Sequence, residues 1–254
     1  MPDEILYEVN GQTAIITLNR PEKRNALNAA MREGLWDAWR RFESDERVRV
    51  AILTAAGEKA FCVGMDLSEI AETKRGAPPR DFLPMPGQNI AVSKPTIAAV
   101  RGVVYAGGWR LLQMCDLCIA GESARFAITE ALVGRGVTWA APLAHVVPPR
   151  VLLELLLTAK PISAQRGYEI GLVNQVVPDD EVMARALDVA DSIIAGAPLF
   201  APAARQMIQM ALGATPEEAL CFAEEIFEPI YKSADAVEGA LAFQQKRKPN
   251  WSGR

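Results

Sequence analysis

The sequence predicts an α/β fold in which a β/α core is followed by a helical C-terminal region. Two segments, residues 51–67 and 96–112, each lead from an apolar strand through a glycine-containing turn into the start of a helix. Beyond Asp179 the pattern is helical throughout, with helices predicted at 179–195, 199–212, 215–232 and 234–248. We therefore expect a core unit over residues 1–195 and a helical region over residues 196–254 that serves oligomer contacts.

The chain opens with a predicted β-hairpin and a long helix. Residues 5–10 and 12–19 are β-rich and join at Asn10-Gly11, a dipeptide that supplies the positive φ angles of a tight turn. Asn25 or Asn28 then caps a helix whose large apolar residues recur at helical spacing. We expect these side chains to lie in the core: Met31, Leu35, Trp36, Trp39 and Phe42.

Further strands and one irregular segment follow. Buried strands are predicted at residues 48–57, 95–102, 117–121, 124–130 and 172–177, with a helix beginning at Ser163. The alternation indicates stacked β-β-α units. Residues 76–88 contain several prolines and two glycines, so a regular element is excluded there, and we expect a mobile surface loop that borders a ligand site.

Composition excludes several functional classes. The chain has 27 basic and 31 acidic residues, and a formal charge of -4 offers no general field for nucleic acid. The N-terminus lacks a basic segment followed by an apolar one, so it is not a secretory signal. No apolar run approaches the roughly 18 residues of a membrane span. We expect a cytoplasmic protein that binds neither nucleic acid nor membrane.

Cysteine and histidine usage narrows the chemistry further. Cys115 and Cys118 form a C-x-x-C pair in an apolar stretch, which favours a buried strand over a redox or metal site. His145 is the single histidine and lies among apolar residues and prolines, where packing or capping is favoured over catalysis. We therefore expect no metal site, and proton transfer falls to a carboxylate.

The two glycine turns are candidates for binding a developing negative charge. Backbone N-H groups at a helix start lack internal partners, and glycines allow a ligand to approach the backbone closely. Two such N-H groups converging from separate turns would form an oxyanion hole. The alternative, that Gly64, Gly107 and Gly108 only shape tight turns, stays open at this point. Neither turn has the spacing of a dinucleotide motif or a P-loop.

The ordered motifs resemble those of the crotonase superfamily over nearly the whole chain. RPEKRNALN is similar to the segment that follows the first hairpin of that family. AFCVGMDL is similar to A-F-x-x-G-x-D-[LI], and GVVYAGGWRLLQMCDLCIA to G-x-x-x-G-G-G-x-E-L-x-x-x-C-D. ARFAITEALVG lies where the second acidic residue of the family is expected, and EGALAFQQKRKPNW resembles its C-terminal ending.

The resemblance implies a crotonase-like spiral of β-β-α units with a C-terminal helical trimerisation region. It implies an acyl-CoA substrate, no cofactor beyond the coenzyme A of that substrate, and a homotrimer or a hexamer built as a dimer of trimers. The N-H groups of Met65 and Gly107 would hold the thioester oxygen. Coenzyme A would be contacted by Ala26, Ala60, Asp66 and Leu67, and its phosphates by Lys246, from the same or a neighbouring subunit; the alternative for Lys246 is a solvated basic tail.

Arg110 departs from the family pattern. It occupies the position of the first catalytic glutamate of the two-glutamate hydratases, and a guanidinium stays charged and cannot act as a general base. Glu130 aligns with the second glutamate, so we expect it to be the acid/base; a structural ion pair is its alternative. Arg110 either pairs with Glu130, binds a carboxylate on the acyl group, or forms a structural ion pair.

The leading hypothesis is an enzyme of the enoyl-CoA hydratase/isomerase type. It favours double-bond migration over hydration because a single acid/base remains. Thioester hydrolysis, decarboxylation and dehalogenation pass through related enolates and stay open. An alternative of another class is a non-catalytic coenzyme A-binding scaffold.

Overall fold

The computed structural model describes residues 3–73 and 76–254, which form two sheets flanked by helices. In spatial order, the larger sheet consists of β1 (Ile5–Asn10), β2 (Thr13–Leu18), β3 (Val50–Ala55), β5 (Thr96–Val100), β7 (Leu117–Gly121) and β10 (Gln175–Val177). The β1/β2 hairpin is antiparallel, and every later pairing in this sheet is parallel.

The smaller sheet repeats the order of the larger one. It consists of β4 (Ala60–Cys62), β6 (Val103–Tyr105), β8 (Arg125–Ala127) and β9 (Ile162–Ser163), with β9 antiparallel to β8. Three successive turns of chain thus each add one strand to the larger sheet and the next strand to the smaller one. This arrangement confirms the predicted stack of β-β-α units.

The helices connect and cover the sheets. Their bounds are α1 Ala29–Ser44, α2 Leu67–Thr73, α3 Gly108–Gln113, α4 Pro149–Thr158, α5 Ala164–Glu169, α6 Val182–Ile194, α7 Phe200–Ala211, α8 Pro216–Tyr231 and α9 Ala234–Gln244. Short 3-10 helices occupy Pro21–Lys23, Glu130–Val133 and Thr138–His145. The four predicted C-terminal helices are confirmed to within a few residues, including a capping box at Thr215 and Glu218.

Both faces of the larger sheet are buried, as a parallel sheet requires. Ala51 and Leu53 of β3 point into a core that contains Trp39 and Phe42 of α1. The intervening side chains of β3 point to the opposite face, where Ala186 of α6 and its neighbours pack. The predicted α1 core residues are buried except Trp36, which is half-buried with the Arg40 guanidinium over its ring.

Several predictions about local structure were wrong. The strand predicted over 124–130 ends at Ala127, so that Glu130 begins a 3-10 helix instead. The strand predicted over 172–177 is shortened to β10. Helix α4 was not among the predicted elements, although proline at the first helical position is a recognised start signal.

The Asn25 side chain links the segment that follows the β1/β2 hairpin to the smaller sheet. Its side chain is fully buried, and its Nδ2 donates to the carbonyls of Ala56 at 3.1 Å and Ala60 at 2.9 Å. Its Oδ1 accepts from the Arg20 amide at 2.9 Å. The residue has a φ of 54°, a left-handed conformation that asparagine tolerates better than most side chains. The cap of α1 is Asn28, the second of the two predicted candidates.

We expect Asn25→Ala to lower the free energy of unfolding by about 3 kcal/mol, because it leaves buried backbone groups unpaired and places alanine at positive φ. Urea unfolding monitored by tryptophan fluorescence measures the change. Asn19→Ala is the matched control, since it removes an exposed bond to the Asp3 carbonyl and should cost less than about 1 kcal/mol. Equal losses in the two variants would contradict the role of the buried amide.

Candidate active site

A cavity of about 520 Å³ lies where the two glycine turns meet the 3-10 segments after β8. One side is formed by the turns at Met65 and Gly107. Glu130 and Trp139 contribute the opposite side, and Arg110 of α3 lies on the same wall as the turns. The cavity therefore brings together the candidate oxyanion amides, the candidate acid/base and the anomalous arginine.

The two glycine turns touch each other. Gly64 has a φ of +88°, and a Cβ on it would lie 2.7 Å from the Gly107 nitrogen and 2.9 Å from the Ala106 Cβ. A Cβ on Gly107 would lie 3.7 Å from the Met65 nitrogen. Ala106 itself has a φ of 50°, which is unusual for a residue with a side chain and typical of strained functional turns. The amides of residues 65 and 107 are thus near neighbours.

The backbone around Met65 is held by a parallel bridge to Leu27. The Leu27 amide donates to the Gly64 carbonyl at 2.7 Å, and the Asp66 amide donates to the Leu27 carbonyl at 3.1 Å. This pairing uses the residues on either side of Met65, so the N-H group of Met65 itself is directed away from Leu27. The Gly107 amide lies at the N-cap of α3, where an N-H group has no partner inside the helix.

Glu130 is a buried carboxylate, exposed by only 8%. Within the described ranges its Oε2 atom has no hydrogen-bond partner. Burial raises the pKa of this carboxyl, while hydrogen bonds from its own amide, from the Trp139 side chain and from the Thr129 amide act in the opposite direction. The net pKa lies above the ordinary value of 4.5, which suits a group that both accepts and returns a proton.

The raised pKa of Glu130 predicts a pH-dependent stability. The native state holds the proton more tightly than the unfolded state, so stability is lost as pH rises from about 4.5 through the raised native pKa. We expect the wild-type protein to become less stable relative to Glu130→Gln across this window. Urea unfolding of both proteins at a series of pH values measures the difference in their free energies of unfolding. The contributions of other titrating groups cancel in this difference because the two proteins share them. If the stability of the wild type relative to Glu130→Gln stayed constant or increased as pH rises, the assignment would be contradicted.

Arg110 projects from the first turn of α3 into the same cavity. Its Nε atom is buried without a hydrogen-bond partner in the described part of the chain. Burial lowers the pKa of its guanidinium from the ordinary value, and Glu130 is not among the causes of that shift. Among the ion pairs of residues 3–73 and 76–254 none includes Arg110, which disfavours both the Glu130 pair and the structural pair.

The proline-containing loop forms a wall of the cavity. Its irregular character is confirmed and it lies beside the cavity, but Phe82, Leu83 and Met85 are buried rather than at the surface; its mobility stays a prediction. The Arg32 guanidinium stacks 4.3 Å from the centre of the Phe82 ring and pairs with Glu69 of α2 at 2.6 Å. Arg32 therefore joins α1, α2 and the loop into one structure.

The predicted coenzyme A contacts lie beside the cavity rather than deep in it. Ala26 and Ala60 are buried, and their carbonyls accept from Arg20 and Asn25. Asp66 pairs with Arg20 at 2.6 Å, and Leu67 is 59% exposed at the cavity wall. Lys246 is exposed after α9 and does not line the cavity of its own chain.

Several lining residues were not predicted from the sequence. Gln113 lies one turn beyond Arg110, and its amide donates to the Trp139 carbonyl at 3.4 Å. Arg135 donates to the Gly76 carbonyl at 2.8 Å, which ties the loop to the segment after Glu130. The helical spacing of residues 107, 110 and 113 was a signal that could have identified Gln113.

The remaining sequence predictions gave mixed outcomes. His145 is exposed in the last turn of a 3-10 helix, so the packed role is wrong, whereas the capping role, the other predicted option, stays a prediction. Cys118 lies buried in β7 as predicted, whereas Cys115 precedes that strand, and both are free thiols.

The described residues contain no cluster of three or more histidine, cysteine or acidic side chains arranged for a metal ion. No helix in these ranges has the length and apolarity to cross a bilayer.

Comparison with known proteins identifies the family. Residues 8–254 match the family described as enoyl-CoA hydratase/isomerase. The enoyl-CoA hydratase EchA19 of Mycobacterium tuberculosis is 38% identical over 260 residues, covering 99% of this chain and 97% of that protein. Carnitinyl-CoA dehydratase of Escherichia coli K12 is 34% identical over 267 residues, covering 100% of both.

Solved structures agree with this result. A probable enoyl-CoA hydratase/isomerase from Mycobacterium abscessus superposes with a TM-score of 0.87 at 37% identity, covering 100% of both chains. An enoyl-CoA hydratase from Mycobacterium tuberculosis superposes with a TM-score of 0.90 at 34% identity, covering 99% of this chain and 100% of that one. The predicted crotonase-like fold is confirmed. The chain belongs to the enoyl-CoA hydratase/isomerase family of the crotonase superfamily and is an enzyme of that type.

Proposed function

We propose that this enzyme binds an acyl-CoA thioester, stabilises its enolate with the amides of Met65 and Gly107, and moves a proton with Glu130. The observation that carries the proposal is the shared cavity. It holds two adjacent backbone amides from separate turns and a buried carboxylate whose Oε2 has no partner within the described residues.

The amides supply the electrostatic part of the reaction. When a proton leaves the carbon next to the thioester, negative charge develops on the thioester oxygen. Two N-H donors held by the Leu27 bridge and the α3 N-cap stabilise that charge without reorganising. The contact between Gly64 and Gly107 is what allows both donors to approach one atom.

Glu130 supplies the proton transfer, and double-bond migration is the favoured outcome. Its carboxylate takes a proton from the γ carbon of a 2-enoyl thioester, and the electron pair is delocalised onto the thioester oxygen. The Glu130 carboxyl exchanges its proton with solvent and then protonates the α carbon, which gives the 3-enoyl thioester and carries solvent hydrogen into the α position. Hydration is disfavoured because Arg110, at the other position of the site, cannot activate water as a base.

Coenzyme A would lie along the backbone of Ala26 and of residues 60–67, at the mouth of the cavity, and the chemistry needs no further cofactor. Lys246 would reach the coenzyme A phosphates from a neighbouring subunit. We propose that residues 196–254 form the oligomer contacts of a trimer or of a dimer of trimers, with residues 1–195 as the catalytic core. Exposed apolar side chains on the C-terminal helices support this role: Phe200, Ile208, Leu220, Val237 and Phe243.

The decisive experiment follows solvent deuterium into the substrate. The enzyme is incubated in D₂O with saturated, 2-enoyl- and 3-enoyl-CoA thioesters, and products are identified by NMR and mass spectrometry. We expect deuterium at the α carbon of at least one thioester and interconversion of the 2-enoyl and 3-enoyl forms.

The same measurement separates the alternatives. Water addition would appear as a 3-hydroxyacyl product and would replace isomerisation as the activity. Release of free coenzyme A or of carbon dioxide would indicate hydrolysis or decarboxylation. Tight binding of every thioester without deuterium incorporation would refute the catalytic proposal and favour a coenzyme A-binding scaffold.

A further inference from the structure

The acyl end of the cavity carries an unusual charge distribution. Three arginines line the cavity, Arg80, Arg110 and Arg135, against one acidic residue, Glu130, among the described residues. Arg80 is exposed at the surface, and Arg135 donates to the Gly76 carbonyl. Arg110 differs from both because its Nε is buried without a partner in the described chain. The cavity is therefore lined by a half-buried cation that forms no ion pair within the described residues.

Arg110 lies close to the reacting end of the proposed substrate. Its amide donates to the Gly107 carbonyl at 3.1 Å, so the two residues are separated by a single helical turn. One turn of α-helix rises about 5.4 Å. Arg110 lines the same cavity as that amide, so the distal group of a short acyl chain bound at Gly107 can meet the guanidinium there.

A neutral acyl chain that binds beside Arg110 would lose binding free energy. Water that enters the cavity can solvate the guanidinium, and an incoming acyl chain displaces that water. If the chain offers no acceptor, a buried charged donor is left unpaired, which is among the most unfavourable outcomes in a binding site. A carboxylate replaces the water with two charge-assisted hydrogen bonds in the planar geometry that arginine favours.

The surroundings fit a carboxylate that approaches Arg110. No carboxylate of the described residues forms an ion pair with its guanidinium, so the anion must come from outside the chain. The apolar wall of Phe82, Leu83 and Met85 excludes bulk water from the chain and strengthens the attraction. Glu130, the nearest competing acid in the cavity, exerts no effect on the Arg110 guanidinium that outweighs burial.

We propose that Arg110 forms an anion subsite for the distal carboxylate of a short dicarboxylic acyl-CoA, such as a succinyl- or glutaryl-type thioester. This inference rests on the proposed function, whose substrate class it specifies. Arg110 is then a specificity-determining residue that binds substrate and takes no part in proton transfer.

The test compares matched ligands on the full-length enzyme. Dissociation constants are measured by calorimetry for glutaryl-CoA, for its neutral terminal amide, and for a chain of similar length that ends in a trimethylammonium group. We expect the carboxylate to bind about 10- to 100-fold more tightly than the amide, and the cationic chain to bind most weakly. Equal binding of the carboxylate and the amide would overturn the proposal.

Variants of Arg110 test whether a preference for the carboxylate over the amide is due to this residue. Arg110→Gln should remove most of the carboxylate-to-amide ratio, and Arg110→Lys should keep part of it because the charge remains but the planar fork is lost. Arg166→Gln is the matched control, since Arg166 is an exposed partner of Glu169 on α5 and should leave the ratio unchanged. A ratio that survives in Arg110→Gln would place the anion elsewhere and refute the assignment. If that variant fails to fold, Arg110→Lys decides the assignment, since an unchanged carboxylate-to-amide ratio in Arg110→Lys would likewise place the anion elsewhere.

These outcomes are distinguishable from failure of the proposed function. Deuterium incorporation that is equally fast with carboxylated and neutral thioesters, together with equal binding, would contradict the anion subsite and leave the enolate chemistry standing. A strong carboxylate preference in binding without any deuterium incorporation would contradict the enolate chemistry and support the subsite.

Discussion

Glu130→Gln is expected to lower the rate of α-proton exchange by about 100- to 10,000-fold, the usual contribution of a positioned acid/base. The amide keeps the size of the side chain but cannot accept the proton. Dissociation constants for saturated thioesters should change little, because the carboxylate acts on the reacting carbon and not on coenzyme A. Exchange is measured by NMR in D₂O, and binding by calorimetry.

Glu154→Gln provides the matched control for that substitution. Glu154 is an exposed glutamate on α4 that does not line the cavity. Its variant should exchange the α proton at the wild-type rate. If Glu130→Gln retained that rate as well, Glu130 would not be the acid/base, whatever its burial.

Gly64→Ala is expected to lower the exchange rate by about 100- to 1000-fold, the typical loss of one oxyanion donor. The new Cβ would lie 2.7 Å from the Gly107 nitrogen, so the two turns must separate and the two amides can no longer reach the same oxygen. The substitution also places alanine at a φ of +88°, which itself costs about 1–2 kcal/mol of stability.

Gly171→Ala separates the effect of backbone strain from the effect of the contact. Gly171 has a similar φ of +81° but no atom within 4 Å of a Cβ placed on it. Its variant should lose comparable stability from positive φ while keeping the exchange rate. Thermal unfolding and deuterium exchange on both variants provide the comparison. Similar exchange rates in the two would show that the contact between the glycine turns is not needed for enolate formation.

The repeated units of the fold were predictable because each depends on a local pattern. The first turn requires glycine at Gly64, where φ is +88°, and the second requires it at Gly108, where a Cβ would lie 2.5 Å from the Cys62 carbonyl oxygen. Both glycines are visible in the sequence. The C-terminal helices were predictable for the same reason, since capping residues such as Thr215 and Ser233 begin them. Helix α4 was not predicted, although it begins at Pro149, where proline is well accommodated at the first helical position.

The catalytic candidates and the cavity wall differ in how much the sequence reveals. Glu130, Met65 and Gly107 were selected from motifs, and the structure brings all three to one cavity. The burial of Phe82 in the loop could not be predicted, because irregular chain has no periodicity from which to read a buried face. The unpaired state of Arg110 was equally hidden, since a sequence does not state which carboxylates come near a given arginine.

About a third of the cavity lining comes from one contiguous stretch, residues 78–89, that contributes neither oxyanion amide nor acid/base. This stretch is fastened to the rest of the molecule at its Phe82 ring, on the Arg32 guanidinium. Replacing these dozen consecutive residues would therefore change the shape of the acyl pocket, and with it the selectivity for chain length, while the oxyanion amides and Glu130 stay in place. Changes confined to this segment could therefore give enzymes of the same fold different substrates.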